Sequence, residues 1–514
     1  EEKEINANFF NDVRLNFNND SAMTETAVSI EQQRQMLQER NNSWQQSSRQ
    51  LETLQKMEKT PYFARIDFKE KGEPKSESIY IGLGSFTDRE DHFLIYDWRA
   101  PISSIYYEGK TGEVTYQTPD GPQDVNISLK RQFLIEDGQI KALFDTQETI
   151  GDQMLLEVLG EKSDTQMKSI VTTIQREQNQ IIRNTDADLL FVQGAAGSGK
   201  TSAILQRIAF LLYRYRGNLD SSQVIMFSPN QLFNDYIADV LPELGEQNMI
   251  QMTYYQYVAR RLPNLAVQSL FDQFETPITE TDARISRLKE SLVFYKAVKR
   301  YAAHLEKGDM RFRDLKVNGK VLISKEKISD VYYRFNENYH LGNRLDATKE
   351  SLLRSLSHKV DHETKADWVT ERAENLSDEE LREIMAGKDF KTGEAESKYI
   401  AKQIVLKAFK PVQKGIQRNR FLSIQAQYVH FMRVVPQLVD LAEFDLTPEI
   451  WNDHVTDFVA NLKAKQMTLS DVTPYLHLYD LMTGKHGERD MRFVFIDEIQ
   501  DYTPYELAFL KMHF

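Results

Sequence analysis

The chain has 514 residues, 41% hydrophobic and 11% aromatic, so it can bury more than one core and is expected to be a multidomain soluble protein. Zero cysteines exclude disulfides, thiolate nucleophiles, iron–sulfur clusters and cysteine-type zinc sites. No apolar run approaches the roughly 20 residues of a membrane span, and the polar start Glu1 to Asn8 is not signal-like, so a cytoplasmic protein without a membrane partner is expected. The net charge of -13 opposes general attraction to nucleic acid, so any DNA or RNA contact must be local.

In chain order, residues 1–58 are polar and Gln-rich, with a sparse apolar stripe through Ile30, Met36, Leu37, Trp44, Leu51, Leu54 and Met57. This predicts a long helix, either a coiled-coil arm or a helix laid along the body. Residues 59–150 change to short β-branched and aromatic runs, Tyr62 to Phe68, Ile79 to Leu83, Phe93 to Tyr96 and Ile102 to Tyr107, which predict a small β-rich module. Gly82 and Gly84 lie inside a strand pattern with no helix after them, so they mark a bend rather than a dinucleotide site. Residues 151–262 hold helical spacing from Thr165 to Asn184 and then the apolar run Leu189 to Gln193, expected as a strand. Residues 263–470 form a mostly helical stretch whose segment Asp361 to Tyr399 is acid-rich, either a solvated face or an acidic surface for a basic groove. Residues 471–514 end with a second apolar strand and a carboxylate cluster. The expected fold class is α/β: a RecA-like P-loop NTPase domain with a parallel sheet, in two parts (151–262 and 471–514), split by a helical insertion and preceded by the arm and the β module.

Two motifs carry chemistry. Gly194-Ala195-Ala196-Gly197-Ser198-Gly199-Lys200-Thr201 follows the first apolar run and precedes an apolar helix reaching about Tyr213, the order that Gly-x-x-x-x-Gly-Lys-Thr requires. Such glycines let successive backbone N–H groups turn toward phosphates, and the helix start adds its positive dipole end. Lys200 would neutralise phosphate charge, Thr201 would hold magnesium, and Ser202 completes the set expected to bind ATP. The second motif is Phe493-Val494-Phe495-Ile496 followed by Asp497-Glu498-Ile499-Gln500-Asp501. Carboxylates at a strand's C-terminal edge lie where α/β sheets hold ligands. Asp497 would orient magnesium, Glu498 would polarise the water that attacks the γ-phosphate, and Gln500 would report phosphate state.

The Asp-Glu-x-Gln-Asp form of the second motif resembles the UvrD and Rep class of superfamily 1. Ile174-Gln175-Arg176-Glu177-Gln178 is similar to that class's adenine-reading motif, which would set Gln178 against adenine; the alternative is a surface glutamine. Phe227-Ser228-Pro229-Asn230 and Thr253-Tyr254-Tyr255 fall where the class places single-strand contacts, although Tyr254 and Tyr255 are equally suited to core packing. Tyr96-Asp97-Trp98-Arg99-Ala100-Pro101-Ile102, Val240-Leu241-Pro242-Glu243-Leu244-Gly245 and the N-terminal arm narrow the resemblance to the HelD family of helicase-like ATPases. That resemblance implies a partner, the RNA polymerase core, entered at its secondary channel by the arm and at its main cleft by the insertion. ATP would be used to release nucleic acid and recycle the stalled polymerase. A free 3′–5′ DNA repair helicase and a non-enzymatic polymerase-binding factor with a nucleotide latch are the rival expectations. The class completes its site with arginines of a second RecA-like domain, which are not in this sequence, so residues 1–514 alone are expected to bind ATP weakly and turn it over slowly or not at all.

Overall fold

Alternation of buried and exposed side chains along Ala64–Glu70 (β1), with Ala64, Ile66 and Phe68 inward, gives the chain its first strand. The computed structural model describes residues 51, 54–55, 57–89, 92–108, 111–118, 121–145, 171, 174–269, 278–335, 339–385, 388, 390, 392–484 and 491–514. The expected N-terminal arm lies outside the described residues except for its last turns, where Met57 is buried. The described residues fall into two compact units, one running up to Met226 and taking in Gln231–Gln251, the other comprising Phe227–Asn230 and Met252–Phe514.

In the first unit β1 is joined by Glu77–Gly82 (β2), Phe86–Arg89 (β3), His92–Asp97 (β4), Gly112–Thr118 (β5), Gly121–Glu136 (β6) and Gln139–Asp145 (β7). They form one seven-stranded sheet in the order β3-β4-β2-β1-β6-β5, with β7 also on β6. It is a mixed sheet, because β2 and β4 run parallel while the other pairs are antiparallel. Asp137 and Gly138, both at positive φ (49° and 74°), turn β6 into β7 in the manner of a two-residue hairpin. At Gly82 a Cβ would stand 2.5 Å from the Pro61 carbonyl oxygen, so this glycine serves a close backbone approach.

Two sequence expectations need correction here. Ile102 to Tyr107 is not a strand: Ser104–Tyr107 is a short helix (α1) with all four residues buried. An apolar run of that length carries no period that separates a buried strand from a buried helical turn. Leu189 to Gln193 is not a strand: it belongs to no ladder among the described residues, and Leu189 and Phe191 are 61% and 70% exposed. Apolar composition makes a strand only where a neighbour takes its amides.

The second unit is mainly helical. The stretch from 263 to 470 contains helices Glu280–Lys289, Leu292–Leu305, Lys325–Tyr333, Leu341–Glu363, Asp367–Glu374, Asp378–Met385, Gly393–Gln417, Ile424–Leu438 and Pro448–Lys463. Its ends return to one another: Ala266–Val267 pairs in parallel with Gln466–Met467. Along the acid-rich segment Asp378–Met385 buries no residue, and Glu380, Glu383 and Asp361 meet Arg372, Lys407 and Lys402, as a solvated face should. Helix Leu469–Thr483 is buried on nearly every side and forms the hub of this unit. Its Asp471 receives Lys289 Nζ at 2.6 Å, with both side chains almost fully buried, and Tyr428 and Thr468 hydroxyls also donate to that carboxylate. Asp480, further along, accepts from Arg261 at 3.0 Å and pairs with His513 at 3.1 Å. Breaking the first pair leaves a buried charge alone, so Lys289→Met is expected to cost about 3–5 kcal/mol, measurable by denaturant unfolding. Among the described residues no helix is long and apolar enough to cross a membrane.

A buried histidine, His477, and a half-buried one, His454, make the second unit sensitive to acid. Burial pulls His477 down to about 3 and His454 down to about 4, and the ring nitrogen Nε2 of each has no hydrogen-bond partner. Both are neutral in the fold, whereas an unfolded histidine binds a proton below about pH 6.5. Their stabilising contribution is therefore complete above that value and is lost as pH falls toward 4. The melting temperature is expected to drop between pH 7 and pH 5, and a His454→Phe, His477→Gln double variant should flatten that slope.

Candidate nucleotide-binding site

Gly199, at φ 81°, is the N-cap of Lys200–Arg214 (α3), a left-handed start that a residue with a Cβ adopts only at a cost. Gly194 is constrained differently, because a Cβ there would stand 2.6 Å from Ser198 Oγ. The loop closes on itself through Ser198 N–H donating to Ala195 O (3.2 Å), and α3 begins with Ala203 N–H donating to Gly199 O (2.9 Å). Gly194 to Ser198 are exposed, while Gly199, Lys200, Thr201 and Ser202 are half-buried. Lys200 Nζ donates to the carbonyls of Gly194 and Ala195 at 3.0 Å each, which holds the ammonium over the loop.

The helix Arg176–Arg183 (α2) brings Gln178 to this loop. Its amide Nε2 donates to Ser198 O at 3.2 Å, and its Oε1 accepts from Gln175 N–H at 3.0 Å in a reciprocal cap. A Cβ on Gly199 would lie 2.8 Å from that same Nε2, so a side chain there would push the Gln178 amide from its place. The first unit thus gathers Gly194, Ala195, Ala196, Gly197, Ser198, Gly199, Lys200, Thr201, Ser202 and Gln178 around one helix start.

The carboxylate cluster belongs to the second unit. Strand Phe493–Ile496 is half-buried throughout and delivers Asp497, whose N–H donates to Phe227 O at 3.0 Å and whose side chain is buried. Glu498 sits at φ 49°, the left-handed region, where a non-glycine residue is uncommon. Its N–H donates to Asp497 Oδ1 at 3.1 Å, and the Gln500 amide donates to its carboxylate. Asp497, Glu498 and Gln500 therefore form one connected group on the turn that follows the strand.

The aromatic stretches are part of the second unit's packing. Tyr254 hydroxyl meets Thr473 Oγ1 at 2.8 Å and its ring lies against Phe227, Tyr257 and Tyr502; burial pushes its hydroxyl pKa well up. Tyr255 hydroxyl donates to Val267 O at 3.0 Å, and Phe227 is fully buried. Tyr254 thus packs among the rings of the second unit, and Tyr255 is half-buried with its hydroxyl held by Val267.

Sequence reasoning missed a buried arginine network at the C-terminal end of α3. Arg99 donates from Nε and Nη2 to Asp97 at 2.8 and 2.7 Å and from Nη1 to Glu246 at 2.6 Å, with its guanidinium over the Tyr213 ring of α3. The available signal was the Asp-Trp-Arg-Ala-Pro turn itself, two opposite charges flanking a tryptophan.

Residues 4–155 match the family model described as DNA helicase IV HelD, N-terminal domain, which marks a helicase-related protein. That match covers the N-terminal part of the chain and supports a place in the HelD family. Comparison with curated proteins gives no match.

Proposed function

We propose that this chain carries the ATP-binding half of a superfamily 1 helicase-type motor of the HelD kind, which remodels RNA polymerase. The observation that carries the reading is the glycine loop Gly194 to Gly199 at the start of α3 with Gln178 seated against it. Exposed amides at a helix start suit phosphate, and an amide side chain beside them suits the edge of a base. Lys200 would leave the loop carbonyls for phosphate oxygens, a better partner for an ammonium. By the roles these motifs imply, Thr201 would hold a magnesium ion that arrives on a triphosphate, and Asp497 would orient it through water. Bound there, magnesium would neutralise the charge that develops on the phosphates. Glu498 would orient the attacking water and take its proton, and Gln500, which donates to that carboxylate, would transmit the change.

A chain of net charge -13 is a poor general ligand for nucleic acid but suits a positively charged polymerase cleft, which favours the polymerase over free DNA as the partner. The test is co-purification of the intact protein with core RNA polymerase, with and without ATP. A complex whose stability changes with ATP is expected. Efficient unwinding of DNA without any such complex would replace this reading with the repair helicase, and release of nucleic acid indifferent to ATP would replace it with the nucleotide latch.

A further inference from the structure

Helix α2 is held at both ends. Near its start Gln178 touches the phosphate loop; at its end Arg183 reaches the turn that leaves β4 in the β module, donating to Trp98 O at 2.7 Å, Arg99 O at 3.0 Å and Ala100 O at 3.3 Å. Arg183 Nε is fixed by Asn179 Oδ1 at 2.9 Å, and its guanidinium lies over the Phe210 ring of α3. Among the described residues no carboxylate stands within ion-pair distance of this side chain, and burial pulls its pKa down to about 10. A partly desolvated charge without a direct counter-ion is costly, and here three backbone carbonyls, the Asn179 amide oxygen and the Phe210 ring offset it. The turn it grips is itself rigid, because Asp97 and Arg99 form a bidentate pair that is almost fully buried and Arg99 is tied on to Glu246. Arg183 lies five positions after Gln178, about 7.5 Å along a rod that does not bend at that length.

We propose that Arg183 is a positioning residue: by clamping α2 to the Asp97–Ala100 turn it fixes Gln178 for adenine, so that base recognition and the seating of the β module are one coupled event. The proposal rests on the nucleotide-site reading above. It treats adenine and phosphate separately, because Arg183 touches α2, the β module and the later turns of α3 at Phe210 but not the loop. Displacing α2 should spoil the base contact and leave the phosphate cradle intact.

The test uses the full chain and two probes, ATP and inorganic tripolyphosphate, with binding measured by calorimetry and folding checked by circular dichroism. Arg183→Lys keeps the charge but loses the fork that reaches three carbonyls; it is expected to weaken ATP binding about tenfold, the value of roughly one such hydrogen bond, and to leave tripolyphosphate binding unchanged. Asp97→Asn, which alters the β-module side of the clamp without touching α2, is expected to weaken ATP selectively in the same direction, and it carries the test by itself if Arg183→Lys does not fold. ATP affinity equal to that of the parent in the folded variants, or equal losses for both probes, overturns the proposal. A parent chain that binds neither probe overturns the nucleotide site itself, whereas a parent that binds both, with variants indifferent to the substitution, overturns only the coupling.

Discussion

In the intact protein Glu498→Gln is expected to bind ATP with nearly parental affinity while hydrolysis falls by about 10² to 10⁴, the usual contribution of a positioned general base. The substitution keeps the shape and the hydrogen bond with Gln500 but removes the carboxylate that would accept a proton from water. Because the side chain is only half-buried and lies in a short turn, the loss should not arise from unfolding. Single-turnover hydrolysis beside equilibrium nucleotide binding separates the two effects. Hydrolysis at the parental rate would remove Glu498 from the chemistry and leave its backbone geometry without a function.

Lys200→Ala is the second large effect and falls on the other quantity. Its two bonds, to the carbonyls of Gly194 and Ala195, are exposed, so losing them costs the fold little. Charge-assisted contacts to phosphate would be lost in the bound state, worth about 2–4 kcal/mol together, or roughly 30- to 1,000-fold in Kd. Titration with a fluorescent ATP analogue checks this, and turnover should fall with binding. A variant that binds as the parent does would mean that the ammonium stays on its own loop.

Much of the nucleotide loop was legible because its logic is local. Glycine spacing, a lysine and a following apolar helix specify a backbone path over a few residues, and Gly194, Gly199 and Lys200 adopt it. The contact of Gln178 with Ser198 joins residues twenty positions apart and was not legible: family resemblance set Gln178 against adenine only, and a glutamine on a polar helix face has no signature of its own. The strands 112–145 were hidden for another reason: one face is wet, so polar side chains interrupt the apolar pattern, as in the stretch Gly121–Glu136. Leu189 to Gln193 shows the converse, an apolar run that satisfies composition yet lacks a partner strand among the described residues. Arg99 and Arg183 were unreadable because charged residues are read as surface, and only three-dimensional packing shows that carbonyls and Asp97 surround them.

The left-handed backbone at Glu498 would set stability against the chemistry proposed for that carboxylate. Holding a side chain with a Cβ in that region stores on the order of 1–3 kcal/mol, which a glycine at the same position would release. Selection for a tougher protein would therefore drift toward glycine there, and selection for a working motor would pull it back. A laboratory screen for thermal resilience alone should select sequences that melt later and have lost the carboxylate.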